Sequence, residues 1–207
     1  LGASYRLIFP DYPGEPKMYT LTPAAAAMDF LAIADEVGAK DFAYYGYSIG
    51  AVTGLQLAIR TSRVNAFVAG GFPMMDGPYP EMLRLTRAML AGPVQLFDMS
   101  VSQPPRVARQ LVTYYEALQS FDDRAVQDGL RMPRLNWVGT EDRSKLNGEA
   151  FIDFHKIVSA NKTAMEASGW DVTFVPGKGH VEASAPEVVI PLLRRWLDKN
   201  WPASSGS

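Results

Sequence analysis

Residues 42–50 read Phe-Ala-Tyr-Tyr-Gly-Tyr-Ser-Ile-Gly, a β-prone run passing directly into Gly46-x-Ser48-x-Gly50. The next ten residues, Ala-Val-Thr-Gly-Leu-Gln-Leu-Ala-Ile-Arg, suit a helix, so the pattern stands at a strand-to-helix turn. A serine at such a turn sits in a strained backbone conformation with its Oγ lifted clear of the sheet. The glycines two residues to either side are expected to remove β-carbons that would strike the neighbouring strand and the following helix. A five-residue pattern recurs by chance. Without a base and an acid elsewhere in the chain, Ser48 is only a turn serine.

Outward from the turn, Thr22-Pro23 offers an N-cap followed by proline at the first helical position. Residues 24–37 read as a helix burying Phe30, Leu31, Ala34 and Val37, with Gly38 as its stop. Tyr5–Phe9 reads as a short buried strand, closed by the turn formers Pro10-Asp-Tyr-Pro-Gly14. Val64–Ala69 is expected as a third strand ending in Gly70-Gly71. Strand, helix, strand, helix, strand argues for an α/β fold: a mostly parallel sheet with helices on both faces.

Residues 72–132 break that rhythm with Pro73, Pro78, Pro80, Pro93, Pro104 and Pro105, and with amphipathic stretches at Met82–Leu90 and Val107–Leu118. They are expected to form an inserted helical cap over the sheet edge. The rhythm resumes with strand Leu135–Val138, helix Ala150–Ala167, strand Val172–Val175 and helix Pro186–Trp201. The organisation is thus a core in two parts, 1–71 and 133–201, with the insert at 72–132 and a frayed tail at 202–207.

Composition removes several classes of function. With 207 residues, 47% hydrophobic and 11% aromatic, the chain can fill a core and is not a disordered segment. A net charge of −2 gives no basic footprint for nucleic acid. No apolar run approaches the ~20 residues that span a bilayer. Zero cysteines exclude disulfides, thiolate catalysis and Cys-ligated metal, and fit a cytoplasmic protein. Two histidines, His155 and His180, leave little for a histidine-rich metal site.

A serine hydroxyl needs a neighbouring base, and the base needs an orienting acid. Strand 135–138 runs into Gly139-Thr-Glu-Asp142, and strand 172–175 into Pro176-Gly-Lys-Gly-His180. Each places a titratable residue in a turn at a strand end, where the serine turn also lies. Glu141 and Asp142 are adjacent, and either carboxylate could orient an imidazole; the acid-turn spacing favours Asp142. His155 falls in a helical stretch and is expected to be structural or exposed. Asp11 is expected to bond backbone N–H groups of its own turn. The insert's Phe72, Met74, Met75, Phe97, Met99, Tyr114 and Tyr115 are expected mainly to pack.

The chain resembles the α/β-hydrolase superfamily over nearly its whole length. Pro10–Gly14 is similar to that family's P-D-x-x-G loop, Gly46–Gly50 to its nucleophile elbow, Gly139–Asp142 to its acid turn and Gly179-His180 to its base turn. The order Ser48, Asp142, His180 is also that of the family. The resemblance implies Ser48 as nucleophile, His180 as general base, Asp142 as its orienter, and the Ile49 N–H as an oxyanion donor. It implies a serine hydrolase of esters, thioesters, lactones or similar small acyl compounds, without metal or organic cofactor. A carbon–carbon bond hydrolase or perhydrolase would share the triad, and a ligand-binding or scaffold protein with little turnover is the rival from another class.

One part of the family pattern is missing. Its earlier strands, with the loop that gives a second oxyanion N–H, have no counterpart here. The chain is therefore expected to be part of a longer hydrolase, its N-terminal segment removed or present as a companion polypeptide. A direct ladder between Tyr5–Phe9 and Phe42–Tyr45 would count against that expectation.

Overall fold

The computed structural model of the protein describes residues 1–2, 4–10 and 20–201. Most of the Pro10–Gly14 loop, Asp11 and the 202–207 tail lie outside them. Thr22 caps α1 (Pro23–Glu36) by accepting from Ala25 N at 3.1 Å, and Pro23 presets φ where no N–H is needed. Then come β1 (Phe42–Tyr47), α2 (Ile49–Ala58) and β2 (Val64–Gly70). The proline-rich segment holds α3 (Tyr79–Ala91), β3 (Val94–Leu96), β4 (Met99–Val101) and α4 (Pro105–Glu116). The chain continues through β5 (Arg134–Gly139), β6 (Arg143–Leu146), β7 (Glu149–Asp153) and α5 (Phe154–Ala167). It ends with β8 (Trp170–Val175), the single turn α6 (His180–Ala183) and α7 (Pro186–Asn200).

Four strands form a parallel sheet in the order β1-β2-β5-β8. Because they run the same way, their carboxyl ends share one edge, the usual place for a site in such sheets. Side chains alternate between two cores as the pleat requires. Phe67 and Ala69 of β2 join α1, α2 and α5, whereas Ala66 and Val68 join Val189, Leu193 and Trp196 of α7. All residues of α2 from Ala51 to Ala58 are buried, which explains its lack of a polar face. Among the described residues, no helix is long and apolar enough to cross a membrane.

Tyr5–Phe9, expected as a strand, joins no ladder; β1 pairs only with β2. Leu7, Ile8 and Phe9 are exposed, Phe9 at 86%. Tyr5 instead stacks on Trp201 with centroids 5.8 Å apart, and its hydroxyl donates to Asp198 at 3.2 Å. Apolar residues become a strand only where a neighbouring strand takes their N–H and C=O groups. Among the described residues no strand runs beside this segment.

Residues 72–132, expected as a helical insert, are not purely helical. Between α3 and α4, β3 and β4 form a hairpin, and β3 pairs with β6 at Leu96↔Leu146. With β7 they make a second, antiparallel sheet in the order β4-β3-β6-β7, which extends past the expected end of the insert at residue 132. The expected helix from Ala150 begins instead at Phe154, where Asp153 caps it by accepting from Lys156 N at 2.8 Å. Residues 149–153 are strand because Asn147 (φ 51°) and Gly148 (φ 88°) make the tight turn that joins β6 and β7.

Candidate active site

Ser48 follows the last residue of β1, and its N–H donates to Gly70 O at 2.8 Å. Its backbone lies at φ 55° and ψ −118°, a conformation that costs a non-glycine residue about 1–3 kcal/mol. Gly46 is required: a β-carbon there would penetrate the Gly50 carbonyl and lie 2.8 Å from Ala51 N. Gly50 is not required for space, since a β-carbon there would meet nothing within 4 Å. The expected clearance role therefore falls to Gly46 alone, and against the helix start rather than a neighbouring strand. Ile49 opens α2, so its N–H has no intrahelical acceptor and is available to an incoming anion.

The acid turn after β5 is stitched to the base turn after β8. Thr140 N donates to Val175 O at 3.0 Å, Glu141 N to Lys178 O at 3.0 Å, and Gly177 N to Thr140 Oγ1 at 2.8 Å. A β-carbon on Gly139 would collide with the Lys178 backbone, so only glycine allows the approach. The stitching brings Asp142 to His180: Nδ1 lies 3.0 Å from Oδ1 and 3.1 Å from Oδ2. Asp142 is fully buried and the His180 side chain is 10% exposed. Its neighbour Glu141 points outward and pairs with Arg143 at 2.6 Å. Of the two adjacent carboxylates, only Asp142 reaches the imidazole.

Tyr47, beside the candidate nucleophile, donates its hydroxyl to His180 O at 2.6 Å and places its ring 5.1 Å from the imidazole. Burial, then the nearby Asp142, Tyr45 and Glu182, push the Tyr47 hydroxyl far above its ordinary value, so it remains a proton donor. Phe97, from the turn of the β3–β4 hairpin, stacks on the imidazole at 4.5 Å and 0°. Phe154 lies at 5.4 Å and 28°. The imidazole is thus fixed at its Nδ1 edge and flanked by aromatic rings. Ser48 makes no hydrogen bond to His180 in this structure; the two share the carboxyl edge of one sheet, in the turns that follow β1 and β8.

The other candidates fall elsewhere. His155 is in α5, its Nε2 3.2 Å from Ser159 Oγ and its ring 5.0 Å from Phe174. Phe72, Met74, Met75, Tyr114 and Tyr115 are buried in the core, while Met99 is 46% exposed. Sequence reasoning missed Tyr47 and Phe154 as neighbours of the imidazole; Phe97 does pack against the main core as expected, and its stack on the imidazole is additional. The alternation Val-Gln-Leu, then Phe-Asp, then Met-Ser-Val at 94–101 is a readable hairpin signal. Nothing local reveals what Phe97 touches.

The sequence profile of the alpha/beta hydrolase family matches residues 1–192. Among curated proteins none matches. Several solved structures share the fold. A hydrolase from Pseudomonas aeruginosa is 17% identical with a TM-score of 0.60, the match covering 86% of this chain and 72% of that one. A thermophilic esterase from Thermogutta terrifontis is 19% identical with a TM-score of 0.60, covering 87% and 73% respectively. An N-acyl homoserine lactonase, complexed with N-hexanoyl homoserine, is 12% identical with a TM-score of 0.56, covering 90% and 71%.

Proposed function

The chain belongs to the alpha/beta hydrolase family, and from that premise we propose that it is a serine hydrolase of small acyl compounds: esters, thioesters or lactones. The observation that carries this is the buried carboxylate–imidazole pair, Asp142 to His180 Nδ1 at 3.0 Å, on the same sheet edge as a serine held at positive φ. In this reading His180 Nε2 takes the Ser48 proton and Ser48 Oγ attacks the carbonyl, forming a tetrahedral oxyanion that the Ile49 N–H receives. Collapse expels the leaving group, which takes the proton from His180. Water, deprotonated by His180, then releases the acid from the acyl-enzyme. Asp142 holds Nδ1 protonated so that Nε2 faces the reacting atoms. The lack of a Ser48–His180 hydrogen bond is compatible with this role, because nucleophile–base bonds are often long or unformed before substrate binds. The esterase and lactonase on the same fold lend support to the substrate class.

A fluorophosphonate probe with a panel of p-nitrophenyl esters tests the proposal. Covalent labelling and ester turnover are expected, both abolished in Ser48→Ala. Stoichiometric ligand retention without labelling or turnover would favour a binding protein instead.

A further inference from the structure

We propose that Phe97 is a positioning residue for the general base: its ring, carried by the β3–β4 hairpin, fixes the plane of the His180 imidazole. This rests on the reading of His180 as the base. Three observations converge. The Phe97 and His180 rings are parallel, 0° apart at 4.5 Å, the most closely aligned ring pair among those described.

Phe97 also pays a conformational cost to be there. It sits at φ 50° beside Asp98 at φ 57°, both central residues of the two-residue turn joining β3 and β4. Such turns favour Asn, Asp or Gly, and a bulky aromatic at positive φ is an outlier. The β6–β7 hairpin of the same sheet uses Asn147-Gly148 at the equivalent place. Turn formation therefore does not explain Phe97, and backbone strain of this kind clusters where function needs it.

Finally, the hairpin is anchored to β6, the strand that follows the acid turn. Gln95 N donates to Asn147 Oδ1 at 2.9 Å, Asn147 N donates to Gln95 O at 2.9 Å, and Leu96 pairs with Leu146. β6 begins at Arg143, directly after Asp142. The small sheet thus carries the ring against the imidazole's face and begins directly after the carboxylate at its Nδ1. A hydrogen bond at Nδ1 alone leaves the ring free to rock about that axis, and the Phe154 and Tyr47 rings beside it are inclined to the imidazole at 28° and 49°, so Phe97 is the ring that matches its plane. The stack removes that freedom and keeps Nε2 directed, which matters because misplacement of a reacting group lowers the rate of the chemical step.

Phe97→Asn decides the point, because asparagine suits the turn while removing the ring. With p-nitrophenyl acetate as substrate, kcat is expected to fall roughly three- to tenfold, the scale of one aromatic pair, with KM within about twofold. Relief of the turn and loss of the ring's packing against the core oppose one another, so Tm should stay within about 4 °C of the parent. Phe97→Tyr should restore kcat, whereas Phe97→Leu, keeping apolar bulk without a plane, should not. Unchanged kcat in Phe97→Asn, a change confined to KM, or full activity in Phe97→Leu would overturn the proposal. Absence of both turnover and Ser48 labelling in the parent protein would overturn the hydrolase reading itself, and this inference with it.

Discussion

Glu141 and Asp142 are adjacent carboxylates that the fold sends in opposite directions. Glu141 is solvent-facing and ion-paired with Arg143, and Asp142 is fully buried against His180. Asp142→Asn is expected to lower kcat by roughly 10³–10⁴, because the amide no longer enforces the right imidazole tautomer. Glu141→Gln should remain within about twofold, since an exposed pair contributes little; steady-state kinetics on the two variants separates them. The elbow glycines divide as sharply. Gly46→Ala must push the Gly50 backbone away, and a displacement of that order costs about 10² in kcat/KM. Gly50→Ala meets open space inside a helix and should raise stability by up to about 1 kcal/mol in thermal unfolding.

The link between β2 and α3 is held by a clasp rather than by packing alone. Asp123 is buried and accepts from Asp76 N at 2.9 Å and Gly77 N at 2.8 Å. Asp123→Ala leaves two N–H groups without acceptors, about 1–3 kcal/mol each, so Tm should fall by roughly 5–15 °C. The Arg124–Asp76 pair nearby is about half exposed on both sides, and Arg124→Ala should cost less than about 1 kcal/mol. Hydrogen bonding to Arg124 nevertheless holds the Asp76 carboxyl below its ordinary value. Its native form is the worse proton acceptor, so its contribution to stability is complete above about pH 4 and is lost as pH falls through the lower native value. Asp76→Asn should therefore lose less Tm than the parent below about pH 4, read by calorimetry. The second sheet shows why elements can mislead. Asn147-Gly148 is a strong turn signal, but the helix-like run after it, residues 150–167, suggests a start three residues before the true cap at Asp153.

Over the whole molecule, the parallel sheet gathers three distant loops at one edge and leaves its first strand paired on one side among the described residues. The consecutive Leu7, Ile8 and Phe9 are exposed on the surface. Contiguous exposed apolar side chains promote association. Sedimentation should show concentration-dependent self-association, reduced when Leu7→Lys and Phe9→Lys are combined; equal association in parent and variant would exclude this segment as its cause.

By itself, the sequence determined the alternation of strands and helices in the parallel core, the Thr22 cap, the turn at Ser48 and the two strand-end turns with Asp142 and His180. Those features depend on periodicity, capping and turn chemistry, which act over a few residues. The acid-turn spacing already favoured Asp142 over Glu141, and tertiary structure alone decided that Gly46 and not Gly50 is sterically fixed, that Tyr5–Phe9 lacks a strand's partners among the described residues, and that Phe97 lies on His180. Each of these depends on a neighbour supplied from a distant part of the chain. Local sequence can specify a strand or a turn, but only the packed sheet specifies what lies across from it.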